Sequence, residues 1–67
     1  MLVYIVRISG TTADFLGRLR TIDDAALVRE LPPDRVVVTL PSSADVPRLT
    51  ALEGVESVTP DRRERLL

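Results

Sequence analysis

The feature that most constrains this chain is the apolar segment near its start. Leu2 to Ile8 is apolar except for Arg7 and is rich in valine and isoleucine. Such a short run of β-branched residues favours a strand over a helix. Because successive side chains point to opposite sides of a strand, so apolar a run is expected to be buried on at least one face, in the middle of a sheet.

A first helix is predicted directly after this strand. Ser9-Gly10 ends the strand, and Thr11 precedes Asp14 by three residues. This is the spacing of a capping box, with aspartate in the acidic position. We expect the helix at about Thr12 to Thr21. The apolar residues expected on its core-facing side are Phe15, Leu16, Leu19 and Ile22.

Two adjacent prolines mark a turn between the next two strands. Asp23-Asp24 is expected to form a turn after the helix, followed by strands at Ala26 to Glu30 and at Arg35 to Leu40. The intervening Leu31-Pro32-Pro33-Asp34 is expected to be a hairpin loop, because two prolines do not fit in a hydrogen-bonded ladder.

A further proline fixes where the second helix begins. Pro47 lacks an N–H group and is tolerated only in the first turn of a helix, which places the N-cap at Asp45. Gly54 is the expected C-terminal cap, and Val55 to Thr59 is a fourth strand that Pro60 stops. The residues expected to face the core are Val46, Leu49 and Leu52.

The predicted elements follow the order β-α-β-β-α-β. Two split strand-helix-strand units with right-handed crossovers give a ferredoxin-like α+β sandwich. It has a four-stranded antiparallel sheet with strand order 4-1-3-2 and both helices on one face. We assign residues 1–60 to this domain and residues 61–67 to an extended C-terminal tail.

Alternation along the two central strands assigns their residues to the two faces of the sheet. The positions expected to face the helices are Leu2, Tyr4, Val6, Ile8, Val36, Val38 and Leu40. The opposite side of the sheet, called the open face below, then holds an apolar spot of Val3, Ile5 and Val37, rimmed by Arg7, Arg35 and Thr39. An apolar patch with a polar rim is typical of a docking surface, although a few exposed β-branched residues are also ordinary in strands.

The composition limits the chemistry that the chain can perform. It contains no histidine or cysteine, and its nine basic residues are all arginine. The usual general base, thiolate metal sites and Schiff-base lysines are therefore excluded. We expect a protein that binds by shape and is not an enzyme, with no cofactor and no metal.

Nucleic acids and membranes are also disfavoured as partners. Only 3% of the residues are aromatic and the net charge is -1, so neither a stacking platform nor a field for phosphates is expected. The apolar run from Met1 to Val6 is far shorter than the roughly 20 residues that cross a bilayer. No basic segment precedes it, as a signal peptide would require.

Several segments resemble one family of peptidase inhibitors. They are the opening Tyr4-Ile5-Val6, the order of the elements, and the closing segment from Leu52 to Asp61, which contains Gly54-Val55 and Val58. In these features the chain resembles the subtilisin propeptide family (the peptidase inhibitor I9 group). Members of the family are intramolecular chaperones and inhibitors of subtilisin-like serine proteases.

The resemblance implies a docking mode and roles for individual residues. The open face, with Val3, Ile5, Val37 and Thr39, would pack on two parallel helices of the protease. Asp61 would cap the N-termini of those helices, where free N–H groups and the helix dipole favour a carboxylate. Thr59 stands where some members carry a second acidic residue, and its hydroxyl is able to accept a hydrogen bond.

The resemblance also implies that the tail occupies the substrate cleft of the protease. Leu67, Leu66, Arg65 and Glu64 would fill the first to fourth specificity pockets in that order. Leu67 suits the large apolar first pocket of subtilisins, and Glu64 favours a protease whose fourth pocket is basic or polar. The expected partner is a subtilisin-like serine protease, and the free chain is expected to be a monomer. It would be cytoplasmic as a stand-alone protein and secreted as a detached propeptide.

Other interpretations of the same residues remain open at this stage. An ACT-like regulatory module shares the fold and binds small ligands through the loop after the first strand, here Ser9-Gly10-Thr11-Thr12. Asp61 would be an ordinary solvated turn residue after Pro60, and the terminal leucines would fold back on the core. An acylphosphatase-like enzyme is disfavoured because its loop needs asparagine, which the chain lacks.

Overall fold

The computed structural model describes residues 2–61, and the sheet has the predicted arrangement. The elements are β1 (Leu2–Ile8), α1 (Thr12–Leu19), β2 (Ala26–Leu31), β3 (Arg35–Leu40), a 3-10 turn (Ser43–Asp45), α2 (Val46–Ala51) and β4 (Val55–Pro60). The strand order is β2-β3-β1-β4, and every neighbouring pair is antiparallel. The ferredoxin-like α+β fold is thereby confirmed, including its strand order.

Helix α1 begins where the capping box predicts. The Asp14 backbone N–H donates to the Thr11 hydroxyl oxygen at 3.1 Å, which satisfies one of the free donors at the start of the helix. The helix ends at Leu19, two residues before the predicted end. The next residues instead form tighter turns, in which the Thr21 and Ile22 N–H groups donate to carbonyls three residues back.

Helix α2 begins at the predicted position but with different capping. Asp45 is the N-cap residue, and Pro47 lies in the first turn. The Asp45 side chain makes no capping hydrogen bond. The capping contact lies one turn earlier, where the Ser42 hydroxyl accepts the Ala44 N–H at 3.1 Å. The chain therefore passes through a short 3-10 turn before the helix, which the sequence analysis did not predict.

The strand ends differ slightly from the prediction because two residues near prolines still pair. Leu31 pairs with Arg35, so the turn consists of residues 32–34 and contains a cis peptide between Pro32 and Pro33. Pro60 pairs with Tyr4 as the last residue of β4. A proline is tolerated there because β4 is an edge strand whose outer side needs no donor.

The core lies between one face of the sheet and both helices. Its buried residues are Tyr4, Val6, Ile8, Phe15, Leu19, Ile22, Val36, Val38, Leu40 and Leu49. Leu16, Val46 and Leu52 pack against this cluster as partly buried neighbours. Because residues of both helices share one cluster with alternate residues of β1 and β3, the helices cover the same face. Leu2 lies at the end of β1 and is 39% exposed, so the buried part of the strand begins at Tyr4.

Gly54 joins the start of β4 to the loop after β1. Its carbonyl oxygen accepts the Ser9 N–H at 2.8 Å, and its φ of +88° lies in the left-handed region. A Cβ atom at this position would lie 3.2 Å from the Ser9 carbonyl oxygen and 3.3 Å from Arg18 Nη1. The left-handed backbone conformation therefore favours glycine, and the backbone oxygen of Ser9 leaves little room for a methyl group.

We predict that Gly54→Ala lowers the free energy of unfolding by about 1–3 kcal/mol, the usual cost of a strained left-handed residue. Urea denaturation measures the effect. Gly17→Ala is the control, because Gly17 lies within α1 with nothing within 4 Å of the added methyl group. It is expected to raise stability by about 0.4–1 kcal/mol. Equal stability of Gly54→Ala and the parent chain would contradict the prediction.

Candidate docking surface

The register between β1 and β3 determines which residues lie on the open face. The paired residues are Val3 with Thr39, Ile5 with Val37, and Arg7 with Arg35. Directly paired residues share a face, and none of these six belongs to the core cluster under the helices. The structure therefore places on the open face all the residues that alternation assigned to it.

The apolar spot on this face is smaller than the sequence predicts. Val37 is only 6% exposed although no helix covers it within residues 2–61. It lies in register between Ile5 on β1 and Arg29 on β2, so both of its cross-strand neighbours carry longer side chains. Val3, Ile5 and Thr39 are half-buried. The accessible apolar surface of the spot therefore comes from Val3 and Ile5, and Val37 contributes almost none of it.

Strand β4 places Thr59 and Asp61 on the same face. Thr59 pairs with Ile5. The Asp61 N–H donates to the Val3 carbonyl oxygen at 2.9 Å, which continues the ladder by one position beyond Pro60. Alternation then puts Asp61 on the same side as Thr59. The two residues that the family resemblance assigns to helix capping thus lie beside the two accessible apolar residues.

A β-bulge in β2 brings two further residues to this face, and the sequence analysis missed it. Leu27 pairs with Val38 and Arg29 pairs with Val37, so Val28 has no partner of its own and is 56% exposed. The extra residue reverses the alternation. Arg29 and Leu31 therefore lie on the open face, as their pairing with Val37 and Arg35 shows.

The bulge also moves an acidic side chain to the helix side. Glu30 pairs with the core residue Val36, and its Oε1 accepts a hydrogen bond of 2.6 Å from the Thr12 hydroxyl at the start of α1. The residue types in β2 carry no signal for the bulge, because the strand contains no glycine.

One end of the open face carries a small group of charges. Arg7 Nε lies 3.0 Å from Asp34 Oδ2 and 3.6 Å from Glu56 Oε1. All three side chains are more than a third exposed, so the pairs add little to stability. The two carboxylates compensate the positive charge of Arg7. This matters locally because the residue directly opposite Arg7 on β3 is the like-charged Arg35.

The loop after β1 has its polar groups engaged within the domain. The Ser9 N–H and hydroxyl both donate to the Gly54 carbonyl oxygen, at 2.8 and 3.4 Å. The hydroxyl of Thr11 caps α1, and that of Thr12 binds Glu30. The three hydroxyl groups of this loop are therefore engaged within the domain.

The predicted cleft-binding residues Glu64, Arg65, Leu66 and Leu67 lie outside the described residues. Within residues 2–61, no group of three or more acidic side chains is arranged to hold a metal ion. Neither of the two described helices has the length and hydropathy needed to cross a membrane. Comparisons with models of protein families, with curated proteins and with solved structures found no match to this chain.

We predict that Val37→Ala lowers the free energy of unfolding by about 1–3 kcal/mol, because it removes two buried methyl groups and leaves a cavity. Val28→Ala is the matched control on the exposed bulge, with an expected loss of about 0.5 kcal/mol or less. Chemical denaturation of both variants distinguishes them. A loss at Val37 no larger than that at Val28 would show that the open face does not bury Val37 in solution.

Proposed function

We propose that the protein binds and inhibits a subtilisin-like serine protease and assists its folding. The open face docks on the protease, and the C-terminal tail lies in the active-site cleft in the manner of a product. The observation that supports this proposal is that Val3, Ile5, Thr59 and Asp61 share one face of the sheet, which no helix covers within residues 2–61. Alternation assigned Val3 and Ile5 to this face, and the family resemblance implied the roles of Thr59 and Asp61.

The sheet face offers a flat apolar centre with a carboxylate at its edge. Val3 and Ile5 retain accessible surface that docking would remove from water. Asp61 follows the last residue of β4, beside Val3. A carboxylate there is placed to accept hydrogen bonds from the free N–H groups at a helix N-terminus of the partner, where the helix dipole adds to the attraction.

The size of the sheet explains why the tail is needed as well. Four strands about 4.8 Å apart and about six residues long give the open face an area of about 400 Å². A stable interface commonly buries about 800 Å² on each partner. A flat area of this size is small for such an interface, which favours an additional contact by the tail. Because tail and face belong to one chain, binding of one raises the effective concentration of the other.

The tail is proposed to enter the substrate cleft as an extended strand. An extended segment that pairs with the edge of the cleft binds as a substrate does. In the order that the family resemblance implies, Leu67, Leu66, Arg65 and Glu64 would fill the first to fourth specificity pockets.

We predict that removing Arg65, Leu66 and Leu67 weakens inhibition of a subtilisin by about 100-fold or more, since two leucine side chains lose their pockets. All described helices and strands end at or before Pro60, so the shortened chain is expected to unfold as cooperatively as the full chain. Inhibition constants and urea denaturation of both chains provide the measurement. Failure of the full chain to inhibit any subtilisin-like enzyme would refute the proposal. Dimerisation together with amino-acid binding would favour the ACT-like alternative.

We predict that Asp61→Asn weakens inhibition by about two- to fivefold, the usual worth of one charge at a helix N-terminus. The effect is expected to shrink at high salt, because screening weakens the interaction. Asp23→Asn, in the exposed turn after α1, removes the same charge away from the open face and serves as the control. Equal inhibition by both variants would exclude a capping role for Asp61.

A further inference from the structure

Two arginines on the open face lack partners. Arg29 and Arg35 are exposed, and neither forms an ion pair or a side-chain hydrogen bond in the structure of residues 2–61. Arg29 pairs with Val37, and Arg35 lies two residues before Val37 on β3. Diagonal neighbours of this kind are about 7–8 Å apart. The two guanidinium groups therefore project from adjacent positions on the same side of the sheet.

Other arginines of the fold show that carboxylates are available but directed elsewhere. Arg7 forms ion pairs with both Asp34 and Glu56. On the helix side, Arg18 lies 3.5 Å from a Glu53 carboxylate oxygen and donates to the Glu53 carbonyl. Arg29 and Arg35, like Arg20 and Arg48 in the helical layer, form no ion pair within residues 2–61, and Arg35 lies directly opposite the like-charged Arg7. Neighbouring like charges on one face disfavour the free state.

We propose that Arg29 and Arg35, with Leu31 and Val37 between them, form a basic patch that binds carboxylates on the surface of the protease partner. This inference rests on the proposed function and adds to it the chemistry of the partner. The required surface is a folded protein surface that carries aspartate or glutamate beside apolar residues. Acidic side chains at the positions facing the basic patch would distinguish a target protease from other subtilisin-like enzymes.

Arginine is well suited to this role. Its planar guanidinium group donates two parallel hydrogen bonds to one carboxylate, and it loses its hydration more readily than a lysine ammonium group does. The half-buried Leu31 supplies apolar surface next to the charges, in the combination common at the centre of interfaces. The patch lies at the β2 side of the open face, away from Asp61 on the β4 side. Docking would thus be held at two opposite edges by charges of opposite sign.

Charges at such positions act mainly on the rate of association and on its dependence on salt. The test compares Arg29→Glu/Arg35→Glu with Arg20→Glu/Arg48→Glu in the full chain. Arg20 and Arg48 are exposed residues of the helical layer, and both double variants change the net charge equally. The measured quantities are the association rate and the inhibition constant for a subtilisin of acidic net charge, at about 0.02 and 0.5 M ionic strength.

We expect wild-type association to slow as salt rises. At low salt, Arg29→Glu/Arg35→Glu is expected to associate about tenfold more slowly or worse, with the salt dependence abolished or reversed, while the helix-side variant follows the wild type. Arg29→Gln/Arg35→Gln is expected to lie between them. If the charge-reversed chain does not unfold cooperatively, the association rate of this neutral variant provides the test instead.

The possible outcomes separate the two proposals. If the wild-type chain does not inhibit the protease, the proposed function is refuted, and the proposal for the basic patch is refuted with it. If the wild type inhibits and both Arg29/Arg35 variants behave as the helix-side variant does, only the basic patch is refuted. A salt-sensitive dimer of the free chain that Arg29→Glu/Arg35→Glu dissolves would assign the patch to a second copy, and would also refute the inference.

Discussion

The pairing of β1 with β3 is the interaction on which the rest of the structure depends. These central strands are paired from Leu2 with Leu40 to Arg7 with Arg35. A slip of one residue would carry all the side chains of one strand to the opposite face. Because β1 and β3 are apolar on both sides, their arginines matter for the register. The observed pairing keeps both arginines off the helix-covered face, and a slip would push one of them against the core.

Most of the fold was predictable because its signals are local. The capping residue Thr11 and Pro47 in the first turn of α2 each act within a few residues of the chain, and alternation identified the core-facing side of both central strands. Gly54 was expected to cap α2, but the C-cap is Leu52, and Gly54 instead takes a left-handed conformation just before β4. The ends of the elements were less accurate. A 3-10 turn before α2 and pairing by Leu31 depend on contacts that no short pattern specifies.

The candidate site was predictable only in part, for physical reasons. Val3 and Ile5 follow from the periodicity of one strand. The burial of Val37 depends on neighbours contributed by two other strands, which the local sequence does not show. Arg29 and Leu31 reach the open face through a bulge without a glycine to mark it, so simple alternation places them on the wrong side. The proposed role of Asp61 comes from family resemblance alone, while its position beside Val3 comes from the structure.

The bulge at Val28 has a consequence for how the molecule behaves in a crowded solution. β2 is one of the two outer strands, and its free N–H and C=O groups would otherwise offer a template on which another molecule could add a strand. An extra residue disturbs the even spacing of those groups, and Pro60 removes a donor from the opposite outer strand. Growth of fibrils from the rims of the sheet is thereby discouraged. Within residues 2–61, both outer strands of the sheet are therefore protected against the addition of a further strand.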